Sequence, residues 1–116
     1  QAEYLCITHL KKEGYFWCQR SYASKGMFDV HGMGTQGGIL VQVKRTKRQK
    51  IVPSMYKKEM EEVQEWVDSI PVDLPENIRI EWWVQREGIR GWTKWRFRKG
   101  TAPELFEGQI EGGNNQ

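Results

Sequence analysis

The chain has 116 residues, the size of one domain that can bury a hydrophobic core without metal or disulfide support. Its net charge is +3, it has two cysteines, and no apolar run is long enough to cross a membrane. These properties argue against a membrane-spanning protein and against a disulfide scaffold. We therefore expect a soluble, cytoplasmic protein whose Cys6 and Cys18 are reduced and packed.

The first half of the chain predicts a helix followed by three strands. Apolar and aromatic residues at helical and then alternating spacing support these elements. The predicted elements are a helix at 2–13 and strands at 15–20, 27–30 and 39–44. Four glycines within 32–38 predict a flexible turn, so the second and third strands are expected to form an antiparallel hairpin.

The second half predicts a further helix and two strands. Pro53 breaks the chain, and apolar residues at helical spacing follow it. The predicted elements are a helix at 55–70 and strands at 78–85 and 92–97. The order α-β-β-β-α-β-β predicts one α/β domain over 1–100, with a mixed central sheet flanked by helices. A frayed, partly disordered tail is expected at 101–116.

Charge is segregated along the sequence. Seven basic residues and no acid lie between Lys44 and Lys58, whereas seven acids and no base lie between Glu59 and Glu76. Such a dipolar chain has a basic face suited to a polyanion such as nucleic acid, although ordinary solvated surface is the alternative. The acidic face of the second helix is expected to be exposed to solvent and turned away from nucleic acid.

The polar side chains of the predicted hairpin form a candidate site. Alternation places Gln42 and Lys44 on one face of the third strand. If the hairpin is symmetric about Thr35 and Gln36, Asp29 lies opposite Gln42. A carboxylate, an amide oxygen and an ammonium suit Mg²⁺-assisted cleavage of a phosphodiester. The simpler alternative is an ordinary salt bridge between Asp29 and Lys44 at a sheet edge.

The sequence contains, in this order, an aspartate, a glycine-rich turn and an apolar strand that ends in x-Lys. This pattern resembles that of the PD-(D/E)XK nuclease superfamily. The wider series is similar to the archaeal-type Holliday junction resolvases, a group also found in viruses, and it covers about 2–97. Its segments are QAE, QRSYASKGMFDV, ILVQVK followed by RTKR, YKKEMEEVQEWV and GWTKWRF. The resemblance implies a restriction-endonuclease-like fold and a homodimer that cuts four-way DNA junctions with Mg²⁺, for which Mn²⁺ can substitute.

The resemblance also implies roles for individual residues. Lys44 would assist the attacking water, and Ser24 would lie near the scissile phosphate. The residues implied to hold the metal are Glu3, Asp29, Gln42 and the backbone carbonyl of Val43. The implied DNA contacts are Lys25, Arg45, Lys47, Arg48 and Lys50.

One position departs from the family pattern, because the family usually has glutamate where this chain has Gln42. An amide oxygen can coordinate a metal but brings no negative charge, so Mg²⁺ is expected to bind more weakly than with three carboxylates. Some restriction endonucleases that act on modified DNA are similar in having Gln-x-Lys. Two alternatives therefore stay open: a restriction-type or repair nuclease of the same fold, and a DNA-binding module that has lost catalysis.

Four tryptophans alternate with basic residues near the end of the chain. Trp82, Trp83, Trp92 and Trp95 could pack in the core, stack on bases, or form the self-complementary surface of a dimer. We expect about half of them to lie in the core.

Overall fold

Six strands form one mixed sheet whose spatial order is the order of the chain. The structure is a computed structural model, and it describes residues 2–21 and 26–110. The strands are β1 (Trp17–Arg20), β2 (Val30–Gly34), β3 (Gly37–Thr46), β4 (Ile78–Arg86), β5 (Thr93–Phe97) and β6 (Glu104–Glu107). The helices are α1 (Ala2–Lys12) and α2 (Lys57–Asp68), the second preceded by a 3-10 turn at Pro53–Tyr56.

The two helices cover opposite faces of the sheet. β3 and β4 pair in parallel, which requires a crossover, and α2 supplies it. Cys6 and Leu10 of α1 are buried against one face, and Val63 and Val67 of α2 are buried against the other. The chain is thus a single α/β domain with a mixed sheet between helices, as the sequence predicts. None of the helices in the described residues combines the length and apolar character needed to span a bilayer.

The predicted hairpin register is confirmed. Val30 pairs with Val41 and Gly34 with Gly37, so the two strands are symmetric about Thr35 and Gln36. The flexible turn predicted at 32–38 is wrong, however, because β2 and β3 continue through the glycines. Gly37 is needed for close packing, because a Cβ on this residue, whose φ is 130°, would lie 2.0 Å from the carbonyl oxygen of Asn77.

The C-terminal tail is also more ordered than its composition predicts. Residues 104–107 form β6, which pairs antiparallel with β5. Arg98 and Arg96 support it, since Arg98 pairs with Glu104 at 2.8 Å and Arg96 lies opposite Glu104 in the register. The domain therefore extends past residue 100, and only 111–116 of the expected tail lie outside the described residues.

Three of the four tryptophans belong to the core. Trp82, Trp83 and Trp95 are buried within the chain, so they are not exposed for base stacking or for a dimer surface. Trp92 is half-buried and packs on Trp83, with ring centroids 5.1 Å apart. Cys6 and Cys18 are free thiols, and burial raises the pKa of both.

Candidate active site

Asp29 lies where β2 begins, and backbone bonds to both neighbouring strands fix it there. Its N–H donates to the carbonyl of Val41 at 2.9 Å, and its carbonyl accepts from the N–H of Ser21 at 2.7 Å. Within residues 2–21 and 26–110, β3 runs on beyond this point without a strand partner on the β2 side, and the N–H of Val43 has no backbone acceptor there. The carboxylate of Asp29 accepts that hydrogen bond at 2.9 Å. The side chain is therefore held against the end of the sheet.

Gln42 lies opposite Asp29, as the hairpin register predicts. Its amide Nε2 donates to Oδ2 of Asp29 at 3.0 Å, the same oxygen that accepts from Val43. In a β ladder the N–H and C=O of one residue point to the same neighbour, so the carbonyl of Val43 points to the side on which Asp29 lies. An acid, an amide and a backbone carbonyl thus meet at this point.

Burial raises the pKa of Asp29 above its ordinary value, and the charge of Glu3 raises it further. The hydrogen bond from Val43 and the charge of Lys44 oppose this increase. Glu3 lies in the first turn of α1 and is half-buried. A bound cation would act against burial and the charge of Glu3, and would favour the ionised carboxylate of Asp29.

Lys44 follows Gln42 by two residues on β3, so its side chain lies on the same face of the sheet, the face that α2 covers. Its Nζ pairs with the carboxylate of Glu59 at 3.0 Å and lies 5.5 Å from the ring centroid of Trp82. A groove of about 370 Å³ opens beside it, lined in part by Gln42, Lys44, Glu59 and Glu62. The ammonium therefore faces a space that a substrate can enter.

Glu59 and Glu62 are residues of this site that sequence reasoning misses. The acidic side chains of α2 are exposed, as predicted, and two of them also line the groove that holds Lys44. The simple salt bridge between Asp29 and Lys44 is not found, since Lys44 pairs with Glu59 instead. Only the packing of α2 on the sheet brings these residues together, and its sequence alone does not fix which acids face inward.

The donor set at this point is oxygen-rich but contains few carboxylates. Among the described residues there is no cluster of three or more acidic, histidine or cysteine side chains that could hold a metal ion. Glu3, Asp29, the amide of Gln42 and the carbonyl of Val43 are nevertheless hard oxygen donors, and Mg²⁺ binds through one or two carboxylates together with substrate phosphates and water. The residues present fit Mg²⁺ as a weak site.

Four basic residues follow Lys44, the first at the end of β3 and the others in the segment after it. Arg45, Lys47, Arg48 and Lys50 are all exposed. Several contacts hold this segment. The N–H of Arg48 donates to the hydroxyl of Thr46 at 3.1 Å, and Arg86 donates to the carbonyl of Gln49 at 2.9 Å. The N–H of Glu87 donates to the carbonyl of Thr46 at 2.8 Å, and Arg45 pairs with Glu87 at 3.8 Å. We call residues 45–50, the last two residues of β3 and the segment after it, the basic loop.

Ser24 and Lys25 lie outside the described residues. A different serine, Ser21, lies within the described residues and is held by hydrogen bonds. The hydroxyl of Ser21 donates to the carbonyl of Phe28 at 2.6 Å and lies 3.4 Å from Nε2 of His31. The bond to Phe28 holds the backbone just before Asp29. Nothing in the sequence around Ser21 predicts this bond.

Comparison with known protein families finds no family model that matches the chain. Comparison with curated proteins finds no match either.

Proposed function

We propose that this chain has a restriction-endonuclease-like fold and is a Mg²⁺-dependent DNA endonuclease that resolves four-way junctions as a homodimer. The observation that carries the proposal is the hydrogen bond between Gln42 and Asp29 at one end of β3, where Gln42 and Lys44 line an open groove. The resemblance of the same residues to the PD-(D/E)XK pattern supports it. The reaction adds water across a phosphodiester P–O bond and leaves a phosphate monoester and a hydroxyl.

Asp29 is suited to a binding role because its carboxylate is preorganised. Two hydrogen bonds, from Gln42 and from the backbone of Val43, fix Oδ2 and leave Oδ1 without a bond from these two donors. A fixed donor costs little entropy to order when a ligand arrives. Glu3, Asp29, Gln42 and the carbonyl of Val43 would hold Mg²⁺, which supplies charge stabilisation on the scissile phosphate and activation of a water.

Lys44 is suited to contact the phosphate. Its ammonium lies at the groove and is held by Glu59 at 3.0 Å, so it is available in one position before substrate binds. A phosphate oxygen entering the groove would accept a hydrogen bond from this ammonium, which would neutralise part of the charge that develops during cleavage. The pair with Glu59 is partly exposed and therefore weak enough to exchange its acceptor for a phosphate.

The basic loop supports DNA as the substrate. Its four exposed cations lie within six residues after Lys44 in the chain, so a duplex whose phosphate lies in the groove would also contact the loop. Phosphate contacts of this kind supply most of the affinity for DNA without reading sequence. A structure-selective enzyme needs this property, because it recognises shape rather than base order.

A second candidate is a DNA-binding module without catalysis. The observation that favours it is Gln42, whose amide donates to Asp29 where the family usually has a third carboxylate. Without that charge the metal affinity falls, and cleavage falls with it. The fold and the basic loop would still bind DNA.

The test is to incubate the protein with a labelled four-way junction and with linear duplexes of the same sequence, in Mg²⁺, in Mn²⁺ and in EDTA. The proposal predicts paired nicks in the junction only, none in EDTA, and a dimer in solution by sedimentation. Equal cleavage of linear duplex would instead support a restriction-type or repair nuclease. Tight binding without cleavage in either metal would support the binding module, and no binding would refute both.

A further inference from the structure

The turn between β4 and β5 separates two grooves. The first, of about 320 Å³, lies between this turn, the basic loop and the end of β6. The second, of about 260 Å³, lies between the turn and α1. Both are lined by Arg90, Gly91 and Trp92. Their volumes are near the lower end of the range for small-ligand sites, about 300–1,000 Å³, so each suits a unit of the size of a nucleotide and neither suits a duplex.

Trp92 is a fixed aromatic surface between these grooves. Its ring packs on the buried ring of Trp83 at a centroid distance of 5.1 Å, which holds one side of it. The residue is only half-buried, and it borders both open spaces. A rigid, partly exposed aromatic ring is the usual platform on which an unpaired base stacks.

Positive charge surrounds this platform. Lys50, Arg86 and Arg90 line the first groove, while Lys12 and Arg90 line the second. Among the described residues that line the two grooves the one acid is Glu107, whose carboxylate is already paired with the buried ammonium of Lys94 at 3.1 Å. The charge of these lining residues is therefore net positive, which favours an anion such as a phosphate.

Gln85 lines the second groove and carries an acceptor without a partner. Its carbonyl oxygen Oε1 is buried and has no hydrogen-bond partner among residues 2–21 and 26–110. A buried polar atom without a partner is costly, and a rotation of the Gln85 side chain toward the groove would let a ligand N–H donor remove that cost. The edges of nucleobases carry such donors.

We propose that this turn binds a single unpaired nucleotide of DNA, with the base stacked on Trp92, an N–H of its edge donated to Gln85 and its phosphates held by Arg90 and Lys50. The inference rests on the proposed function, because a DNA substrate must bring the nucleotide. It deepens that function by giving a source of selectivity: bases at a branch point stack less firmly than bases within a continuous duplex, so they are available to this site.

The test uses three labelled DNA duplexes in EDTA, which prevents cleavage. One is continuous, one carries a single unpaired adenosine, and one carries an abasic residue at that unpaired position. We expect the wild-type protein to bind the adenosine bulge at least about fivefold tighter than the continuous duplex, the smaller effect measured for stacking on an aromatic side chain. The abasic bulge should bind like the continuous duplex.

Variants separate the base contact from general DNA binding. Trp92→Ala should abolish the preference for the bulge and leave the affinity for continuous duplex unchanged. Trp92→Phe should keep most of the preference for the bulge. Gln85→Met should weaken the preference. Phe16→Ala is the matched control, since it removes an exposed aromatic ring next to the opposite sheet edge.

Three results would overturn the inference. Equal affinity of the wild-type protein for bulged and continuous duplex would refute it and leave the proposed function standing. An abasic bulge that binds as tightly as the adenosine bulge would also refute it, with no dependence on how a variant folds. Failure to bind any of the three duplexes would refute the inference together with the DNA-binding function.

Discussion

The ammonium of Lys44 lies 3.0 Å from the carboxylate of Glu59, an ion pair that joins the end of β3 to the first turn of α2. Glu59 therefore competes with phosphate for the ammonium of Lys44, the residue proposed to contact phosphate. Both side chains are partly exposed, at 27% and 51%, so the pair contributes about 0–1 kcal/mol to stability. It can therefore be exchanged for a phosphate at little cost.

Glu59→Gln should tighten DNA binding. The substitution removes one negative charge from the groove and frees Lys44, and an interaction of about 0.2–1 kcal/mol corresponds to roughly 1.4- to 5-fold in Kd. The free energy of unfolding should change by less than about 1 kcal/mol. Fluorescence anisotropy with a labelled duplex measures the affinity.

Glu61→Gln is the control, because Glu61 is exposed on the same helix and is not among the residues that line the groove. It alters net charge equally and should change Kd less. Equal gains in the two variants would mean that only overall charge matters.

Gln42→Glu should convert the weak oxygen site into a stronger one. It removes the hydrogen bond to Asp29 and sets a second carboxylate about 3.0 Å from the first, so the metal-free protein should lose about 1–3 kcal/mol of stability. Mg²⁺ should restore that loss, and the cleavage rate should rise. Thermal unfolding in EDTA and in Mg²⁺ measures both effects.

Gln19→Glu provides the matched control on the exposed edge strand β1. It should show no metal-dependent change in Tm. A Gln42→Glu variant that Mg²⁺ fails to stabilise more than the wild-type protein would count against a metal site at Asp29.

The basic loop should set the salt dependence of DNA binding. Each phosphate contact contributes about 0.9 to the slope of log Kd against log salt concentration for duplex DNA, so Lys47→Ala combined with Arg48→Ala should lower that slope by about two. Lys11→Ala, an exposed lysine on α1, should leave it unchanged. A double variant with an unaltered slope would show that DNA does not reach the loop.

Asp68 should make stability depend on pH. The N–H of Gly100 donates to its carboxylate at 2.9 Å and Gln64 does so at the same distance, and both bonds lower the pKa of Asp68. A lowered folded-state pKa stabilises the fold above the pKa of the unfolded chain, and this contribution is lost as pH falls through the folded-state value.

Asp68→Asn should therefore be less stable than the wild-type protein near neutral pH, and the difference should vanish in acid, where both side chains are uncharged. Urea unfolding at several pH values measures it. Asp73→Asn removes an exposed aspartate in the loop that follows α2 and corrects for net charge. If the stability difference between the two proteins persists undiminished at low pH, the charge of Asp68 is not its cause.

The hairpin shows how far the sequence determines this site. Alternation and the symmetry about Thr35 and Gln36 are local properties, and they correctly placed Asp29 opposite Gln42. The partner of Lys44 is not local. Glu59 follows it by fifteen residues, and its position depends on how α2 packs on the sheet.

Two other features also depend on tertiary contacts. The sequence predicts a flexible turn that includes Gly34 and Gly37, because glycine is common in turns. Both glycines are instead strand residues that approach other backbone segments closely. β6 is four residues long and largely exposed, so its sequence carries little strand signal, and pairing with β5 determines it.

The most direct test of the account is the single-turnover rate at which the protein nicks a four-way junction in Mg²⁺, compared between the wild-type protein, Lys44→Ala and Lys11→Ala. The account predicts that Lys44→Ala lowers the rate by at least about a hundredfold while junction binding is retained, as for loss of one charge-stabilising group. Lys11→Ala should cut as the wild-type protein does. Cleavage that survives in Lys44→Ala, or that continues in EDTA, would contradict the proposed active site.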